Sequence, residues 1–318
     1  MRTRAILVGL VGLLIMAAGR AETVIVLNSG DASISLVDRA AGKELSRIPT
    51  GKEPHHLMQT PDDQSLIVAS AGSNDLLFLD PSTGQVQRRV KNIPDPYQIA
   101  FSPDRKWFVV AAYRLNRVDI YNASDYSLVK RIPIGKLPSH IAFNRASTHA
   151  FVTLQDSNNI VAIDLSKHAV DWTMPVGKLP AGIWMTPDDK HLLVGVMGED
   201  HVAAIDWRTR TVTKRIVTGK GAHNFQALGD GRHLFVSNRV ESTVSMIDQQ
   251  TLTAIKKYKT PSGPDCMEVS KDGKELWLTA RWAQKVAVID VESGALLRTI
   301  AVGRSPHGIY FRSHAARE

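Results

Sequence analysis

The sequence predicts an all-β protein, a seven-bladed β-propeller with four antiparallel strands in each blade. Three observations lead to this fold: a repeat of constant length, four short strand patterns in each repeat, and a chain that begins and ends part-way through a repeat. Repeats of about 40–45 residues with four short strands are typical of propeller blades. A ring of such units should hold distant residues together around a central channel.

The repeat is most regular at the residue that ends the third strand of each unit. This residue recurs every 42 positions, without insertion or deletion, as Asp38, Asp80, Asn122, Asp164, Asp206, Asp248 and Asp290. A second column keeps the same step and is proline in all units but one: Pro54, Pro96, Pro138, Pro180, Ala222, Pro264 and Pro306. We interpret the recurring aspartates as turn formers, because their side chains accept hydrogen bonds from nearby backbone amides.

One unit shows the four strands clearly. The runs "DCMEVS", "ELWLTA", "KVAVID" and "ALLRTIAV" alternate in character and are separated by Gly, Pro, Asp or Ser residues. Short alternating runs of this kind are typical of half-buried strands in an antiparallel meander. We name these strands A to D and expect strand A to be innermost, next to the channel.

The two ends of the chain predict how the ring closes. The segment after residue 21 starts with strands B, C and D ("ETVIVLN", "SISLVD", "KELSRIP"), and the chain ends on an A strand, "HGIYFR". Together with six complete units these make 28 strands. The final strand should therefore complete the N-terminal blade and leave no open sheet edge.

Residues 1–21 are predicted to form a cleaved signal peptide, and residues 22–318 are predicted to form a single propeller domain. Two arginines precede an apolar run of 14 residues, positions 5–18, and small residues follow it. The run is shorter than the ~20 residues that a membrane-spanning helix needs, so a transmembrane anchor is the weaker alternative. We expect an exported, periplasmic protein without a transmembrane segment in the mature chain.

Charge and cysteine content restrict the possible functions. The formal net charge of +8 falls to +5 when Arg2, Arg4 and Arg20 are removed with the signal peptide. A modest and scattered positive charge argues against nucleic-acid binding. Cys266 is the only cysteine, so we expect no internal disulfide.

The repeats resemble those of the YVTN-repeat β-propellers, a family of mostly exported bacterial and archaeal proteins. The segments "LFVSNRVESTVSMIDQQTLTAI" and "PSHIAFNRASTHAFVTLQDSNNIVAID" carry this resemblance, which extends over the whole mature chain. The tetrapeptide that names the family occurs only as variants such as "FVTL" and "FVSN". The resemblance implies the fold but leaves the function open, because such repeats serve many functions.

One face of the ring is predicted to carry a basic rim. The D–A and B–C loops share this face, and a basic residue stands two positions before the repeat column in five of the seven units. Such a ring of charge would favour an anionic ligand or partner. The rim residues are Lys52, Lys136, Lys178, Lys220 and Arg304, together with Arg114, Arg239 and Arg281 from B–C loops.

Histidines are concentrated in the two positions that follow the repeat column. These 14 positions hold five of the 11 histidines and the only cysteine. Because strand A is innermost, we expect these side chains to converge on a site for a transition metal or a haem-type tetrapyrrole. The candidate ligands are His55, His56, His140, His223, His307, Asp265 and Cys266.

The sequence does not support all of these candidate ligands equally. Adjacent residues of a strand point to opposite faces, so at most one of His55 and His56 is expected to face the channel. Pro-His-Gly and Pro-x-His are common at this position in such repeats, so His307 and His140 mean little alone. Cys266 is interpreted first as a small buried residue and second as a ligand.

Three functions fit these features. The chain contains no nucleophile motif, phosphate loop or flavin fingerprint, which favours a non-catalytic binding or scaffold protein for an anionic ligand or a periplasmic protein partner. The alternative is a haem or transition-metal carrier, although the related haem-binding propellers of nitrite reductases typically have eight blades. A lactonase-like hydrolase with histidine and Asp265 as acid–base groups ranks third.

Overall fold

Seven four-stranded antiparallel sheets form a closed ring in the computed structural model, which describes residues 22–317. The predicted signal peptide, residues 1–21, lies outside the described residues, as does Glu318. The one helical element of the described range is a single 3-10 turn, Ser29–Asp31. Within that range, no helix has the length and hydrophobicity that crossing a membrane requires. The predicted all-β, seven-bladed fold is confirmed.

Blade 1 is assembled from both ends of the described chain. From the channel outwards it consists of β28 (Pro306–Tyr310), β1 (Thr23–Asn28), β2 (Ser33–Asp38) and β3 (Lys43–Pro49). In the register of β28 with β1, Tyr310 lies opposite Ile25 and Ile309 opposite Val26. The C-terminal strand therefore closes the ring as predicted.

The other six blades are each continuous in sequence, with strands A to D in chain order. Blades 2 and 3 consist of β4 (Pro54–Gln59), β5 (Leu66–Ser70), β6 (Asp75–Leu79), β7 (Val86–Lys91), β8 (Pro96–Phe101), β9 (Trp107–Ala112), β10 (Arg117–Asn122) and β11 (Leu128–Pro133). Blades 4 and 5 consist of β12 (Pro138–Phe143), β13 (His149–Leu154), β14 (Asn159–Asp164), β15 (Ala169–Pro175), β16 (Pro180–Met185), β17 (His191–Val196), β18 (His201–Asp206) and β19 (Thr211–Val217). Blades 6 and 7 consist of β20 (Ala222–Ala227), β21 (His233–Asn238), β22 (Thr243–Asp248), β23 (Thr253–Lys259), β24 (Pro264–Val269), β25 (Glu275–Ala280), β26 (Lys285–Asp290) and β27 (Leu296–Ala301).

The first strand of each blade lines the channel, as predicted. β4, β8, β12, β16, β20, β24 and β28 each contact the corresponding strand of the next blade around the ring. The outer strands are largely exposed and many are basic, for example "VQRRVK" in β7 and "TAIKKYK" in β23. Charged outer strands discourage edge-to-edge pairing with other chains, so part of the positive charge protects the sheet edges.

The hydrophobic core consists of seven clusters, one between each pair of neighbouring blades. Between blades 3 and 4, for example, Val109 and Val118 pack with Val152 and Ile163, and all four are essentially buried. Removal of this apolar surface from water stabilises the ring. The channel residues therefore lie on strands whose outer neighbours are fixed by close packing.

The recurring aspartates act in turns, as the sequence indicates. The backbone amides of Ser82 and Thr83 donate hydrogen bonds to Oδ1 of Asp80 after strand C of blade 2. In the A–B turn of the same blade, the amide of Gln64 donates to Asp62. These carboxylates lie in turns and not in the channel, which leaves Asp265 as the acidic member of the predicted site.

Candidate functional site

A β-bulge interrupts strand A of every blade at the two candidate positions. In blade 4, Pro138 lies opposite Leu154 and Ile141 opposite Val152, so Ser139 and His140 together face Thr153. A bulge of this kind re-aims the side chains of the bulged strand. The alternation of an undistorted strand therefore does not apply at these positions.

The bulge brings both histidines of blade 2 into the channel, so the expectation that only one would face it is wrong. His55 is the extra residue, since Pro54 lies opposite Ser70 and His56 opposite Ala69. The Nδ1 atoms of His55 and His56 are 2.9 Å apart. Both rings pack against the ring of His307 from the neighbouring blade 1, at centroid distances of 3.9 and 5.0 Å.

All five candidate histidines form one continuous cluster. The ring of His140 lies 5.5 Å from that of His56 and 5.4 Å from that of His223, in both cases edge to face. All five rings are buried; the most exposed, His56, keeps 8% of its surface accessible. The structure thus brings together the predicted histidines, inside the channel and not at an open mouth.

Asp265 is the fully buried carboxylate beside this cluster. Its Oδ2 accepts a hydrogen bond from Nη2 of Arg239 at 2.6 Å, and Nη1 of Arg281 lies 3.5 Å from the same oxygen. Burial alone would raise the pKa of this carboxyl, but the charges of Arg239 and Arg281 and the nearby His223 lower it well below its usual value. Asp265 is therefore ionised and shared by two guanidinium groups.

The imidazoles are neutral near pH 7. Burial lowers the pKa of His56 to about 4, and burial together with the charge of Arg239 lowers the pKa of His223 to about 3. Burial and the neighbouring imidazoles hold the pKa of His55, His140 and His307 well below the usual value. His223 lies 3.3 Å from Asp265 but, being neutral, it accepts from Arg239 and forms no ion pair.

Hydrogen bonds fix the orientation of two rings. Nδ1 of His56 lies 2.6 Å from the carbonyl oxygen of Tyr97, which can only accept, so Nδ1 carries the proton and Nε2 presents a lone pair. Nδ1 of His140 lies 2.6 Å from Oγ of Ser139, to which Gln155 also donates. A proton on Nδ1 of His140 likewise leaves its Nε2 free to bind a ligand.

Five buried polar atoms of the cluster and of the adjoining Asp265–Arg239 pair have no hydrogen-bond partner among residues 22–317: Nε2 of His56, Nε2 of His140, Nε2 of His307, Oδ1 of Asp265 and Nε of Arg239. Buried polar atoms are normally paired, so a group of unpaired atoms needs an explanation. Two sets of donor atoms lie within 4.8 Å of one another, His55–His56–His307 and Asp265–Cys266–His307. The structure thus places unpaired polar atoms and close sets of potential metal-ligand atoms in the same part of the channel.

A cavity of about 620 Å³ opens above the cluster on the D–A and B–C face. One residue from each blade lines its wall, at the position directly after strand B: Ser29, Ala71, Tyr113, Gln155, Met197, Arg239 and Arg281. His55, Tyr97 and His223 also line it, and the rings of Tyr97 and Tyr113 stack at 4.3 Å. The wall residues recur at the same 42-residue step, and of these seven only Arg239 and Arg281 were predicted from the sequence, as basic residues of B–C loops.

The predicted basic rim separates into two groups. Arg114, Arg239 and Arg281 line the cavity, whereas Lys52, Lys136, Lys178, Lys220 and Arg304 are exposed residues outside its lining. Several of the charges have acidic partners: Arg304 pairs with Asp31, Arg114 with Asp95, and Lys136 lies 3.7 Å from Asp156. The structure therefore does not gather the lysines around one ligand.

The opposite end of the channel differs in character. A second pocket, of about 650 Å³, lies on the A–B turn face. Its lining is mainly apolar and includes Met58, Phe101, Phe143 and Trp184, with Arg145 at the turns. The two ends of the channel thus differ: histidines and arginines line the D–A and B–C face, whereas the lining of the A–B face is mainly apolar.

Cys266, His307 and Asp265 stand in the order of a nucleophile, a base and an acid. Sγ of Cys266 lies 3.5 Å from Nδ1 of His307, and Nε2 of His307 lies 3.6 Å from Asp265. Burial, together with the charge of Asp265, raises the pKa of the thiol well above its usual value. Cys266 is also absent from the cavity lining. A protonated thiol outside the cavity lining is not arranged for nucleophilic catalysis.

The chain belongs to the YNCE-like beta-propeller family, whose sequence pattern matches residues 10–317. This agrees with the YVTN-type repeats seen in the sequence. No curated protein matches the chain in sequence.

Several solved structures share the fold. A functionally unknown protein from Desulfotomaculum acetoxidans is 17% identical, with a TM-score of 0.78 over 93% of this chain and 100% of the other. A putative 6-phosphogluconolactonase from Bacteroides uniformis is 16% identical, with a TM-score of 0.73 over 92% and 100%. The dihydro-heme d1 dehydrogenase NirN, in complex with DHE, is 17% identical, with a TM-score of 0.68 over 92% of this chain and 76% of NirN. At these identities the likeness shows the fold alone.

Proposed function

We propose that this member of the YNCE-like beta-propeller family is a periplasmic binding protein that holds a transition-metal ion on His55, His56 and His307. The observation that carries the proposal is the approach of three donor nitrogens to within 4.8 Å of one another on buried, neutral rings. Neutral imidazole is the form that binds ions such as Zn²⁺ and Cu²⁺. Imidazole ligands favour these ions over Mg²⁺ and Ca²⁺, which prefer oxygen.

The surroundings of the rings support this function. The Tyr97 carbonyl accepts from Nδ1 of His56, an arrangement that metal-binding histidines commonly have on the nitrogen that does not bind the metal. Nε2 of His140, unpartnered within the described residues, lies on the ring next to His56 and offers a further ligand. His55 lines the cavity, so an ion can enter from the D–A and B–C face.

The periplasmic location is part of the proposal and rests on the sequence. Two arginines, an apolar run at positions 5–18 and the small residues after it are typical of a secretory signal. An exported protein meets metal ions and small ligands of the periplasm directly. Fractionation of cells that produce the full chain tests the location.

The metal site is tested by equilibrium dialysis of the chain produced with its own leader and purified without chelator or metal-affinity resin. We expect close to one Zn²⁺ or Cu²⁺ per chain and loss of binding in the triple variant His55→Asn, His56→Asn, His307→Asn. The control His191→Asn changes a histidine at the start of β17, outside the cluster, and should bind as the wild type does. A wild type without metal, or a folded triple variant with unchanged binding, contradicts the proposal.

A second candidate function is binding of an anionic ligand in the cavity. Arg239 and Arg281 share the single carboxylate of Asp265, which leaves net positive charge in the cavity wall. A volume of about 620 Å³ is in the range of small-molecule sites, and His55 in its lining would supply an imidazole ligand if the anion were a haem-type tetrapyrrole. Purification with a Soret band favours the tetrapyrrole, and capture of a protein partner in a salt-dependent manner favours a scaffold.

A further inference from the structure

Cys266 lies among polar groups as well as in the core. Its side chain contributes to the apolar cluster between blades 7 and 1. Its Sγ also accepts a hydrogen bond from Nδ2 of Asn224 at 3.2 Å and lies 3.5 Å from Nδ1 of His307. A cysteine that only fills space needs neither contact, and Gly308 fills the same position of blade 1 without a side chain.

Two other groups near Cys266 indicate a ligand independently of the thiol. Oδ1 of Asp265 and Nε2 of His307 are both buried and have no hydrogen-bond partner in the described part of the chain. The donor atoms of Asp265, Cys266 and His307 lie within 4.8 Å of one another. His307 belongs to this set and also to the set with His55 and His56. One ion between the two sets would therefore reach both imidazole and sulfur.

We infer that the ion of the proposed site is a thiophilic metal, of the class of Cu⁺, Zn²⁺ and Cd²⁺, and that Cys266 binds it through sulfur beside His307. This inference rests on the proposed function and specifies the class of metal ion that the site binds. Thiolate and imidazole together select such borderline and soft ions over hard ones. When the ion binds, the S–H bond breaks, the metal–sulfur bond forms and the proton passes to solvent, with no change of oxidation state.

The single cysteine makes the test specific to one residue. Co²⁺ replaces zinc in mixed nitrogen and sulfur sites, and its spectrum distinguishes the ligands: visible d–d bands report binding, and a near-ultraviolet charge-transfer band reports a thiolate. Because Cys266 is the only cysteine of the chain, any such band arises from this residue. We expect both kinds of band when Co²⁺ is titrated into the full chain.

The variant Cys266→Ser provides the second measurement. It should keep the d–d bands, lose the charge-transfer band and bind Co²⁺ at least about tenfold more weakly, because losing a group that only supports a metal ligand already costs about 10–100-fold in affinity. The control Ser139→Ala, at the other side of the cluster, should keep the charge-transfer band. The wild-type spectrum decides on its own if Cys266→Ser does not fold.

The outcomes separate the two proposals. d–d bands without a charge-transfer band in the wild type overturn the role of Cys266 and leave the histidine site intact. An absence of any Co²⁺ bands, together with an absence of bound Zn²⁺ and Cu²⁺, overturns the metal site itself. Equal affinity of Cys266→Ser and wild type for Co²⁺ also contradicts the inference.

Discussion

Nδ1 of His55 lies 2.9 Å from Nδ1 of His56, although the two residues are consecutive in a β-strand. The distance follows from the bulge, in which His55 is the extra residue opposite β5. Two adjacent imidazoles on one side of a strand supply two donors from a single blade. With His307 from blade 1, a three-nitrogen set needs only two neighbouring blades, and the closing strand β28 provides one of them.

The buried histidines should make stability fall in acid. Burial lowers the pKa of His56 in the folded protein to about 4, against about 6.5 in an unfolded chain. The contribution of His56 to the free energy of unfolding is therefore complete above pH 6.5. As the pH falls from 6.5 towards 4, unfolding takes up a proton at this residue. Each such histidine lowers the free energy of unfolding by about 1.4 kcal/mol per pH unit in this window.

Urea unfolding of metal-free protein at pH 7 and pH 5 checks this expectation. The variant His56→Asn removes one titrating ring, so its stability should depend less on pH than that of the wild type. The neighbours Asp265 and Arg281 act on His56 in opposite directions and remain in both proteins. The same pH dependence in the two proteins would show that His56 is not buried and neutral.

Asp265→Asn should destabilise the folded protein strongly. The substitution leaves Arg239 and Arg281 in the channel without their shared carboxylate. Removing one partner of a buried ion pair typically costs about 3–5 kcal/mol. The matched control Asp290→Asn changes a turn aspartate of the same blade, where asparagine also caps, and should cost only about 0.5 kcal/mol. Equal losses in urea unfolding would contradict the role given to Asp265.

Much of the fold could be predicted from the sequence, because each strand occupies the same position in every repeat. The step of 42 residues places each strand A next to the channel, and the closing strand follows from the incomplete units at the two ends. Alternation along the strands then predicts which residues enter the clusters between blades. The blade count and the strand order needed nothing more.

The site was predicted only in part. The column after the repeat position identified the five histidines, but strand alternation wrongly separated His55 from His56, since a bulge leaves no clear mark in the sequence. Tyr113 and Gln155, which line the cavity, stand in the same column as Arg239 and were missed because a basic pattern was sought there. Ion pairs such as Arg304 with Asp31 join loops of different blades and depend on the folded ring.

Closure of the ring should be essential for folding. Deletion of residues 304–318 removes β28, the inner strand of blade 1, together with His307. It exposes the edge of β1 and the apolar clusters on both sides of blade 1. We expect no soluble monomer, as judged by size-exclusion chromatography of the expressed chain. A stable monomeric truncated protein would contradict this closure.

A circular permutant is the matched control for the deletion. Glu22 accepts a hydrogen bond at 2.6 Å from the backbone amide of Ser313, so the two ends of the described chain are close. Joining them with a short linker and opening the chain before Lys52 makes every blade continuous. This permutant should fold and bind metal as the natural order does.

Binding of small anions should depend on the cavity arginines and not on the lysines of the rim. Arg281 lines the cavity, whereas Lys178 lies outside it. With citrate as the probe, Arg281→Gln should weaken binding at least about tenfold, or about 1.4 kcal/mol, and Lys178→Gln should leave it unchanged. Calorimetric titration at low and high salt measures both variants. A larger loss for Lys178→Gln would instead favour a binding surface on the rim.

The most direct test of the proposed metal site is a crystal structure of the protein grown with Zn²⁺, with anomalous data collected on both sides of the zinc absorption edge. We expect one strong anomalous peak inside the channel, about 2.0–2.1 Å from nitrogen atoms of His55, His56 and His307. A channel without a peak at full zinc occupancy in solution, or zinc bound only at histidines outside the channel, would contradict it.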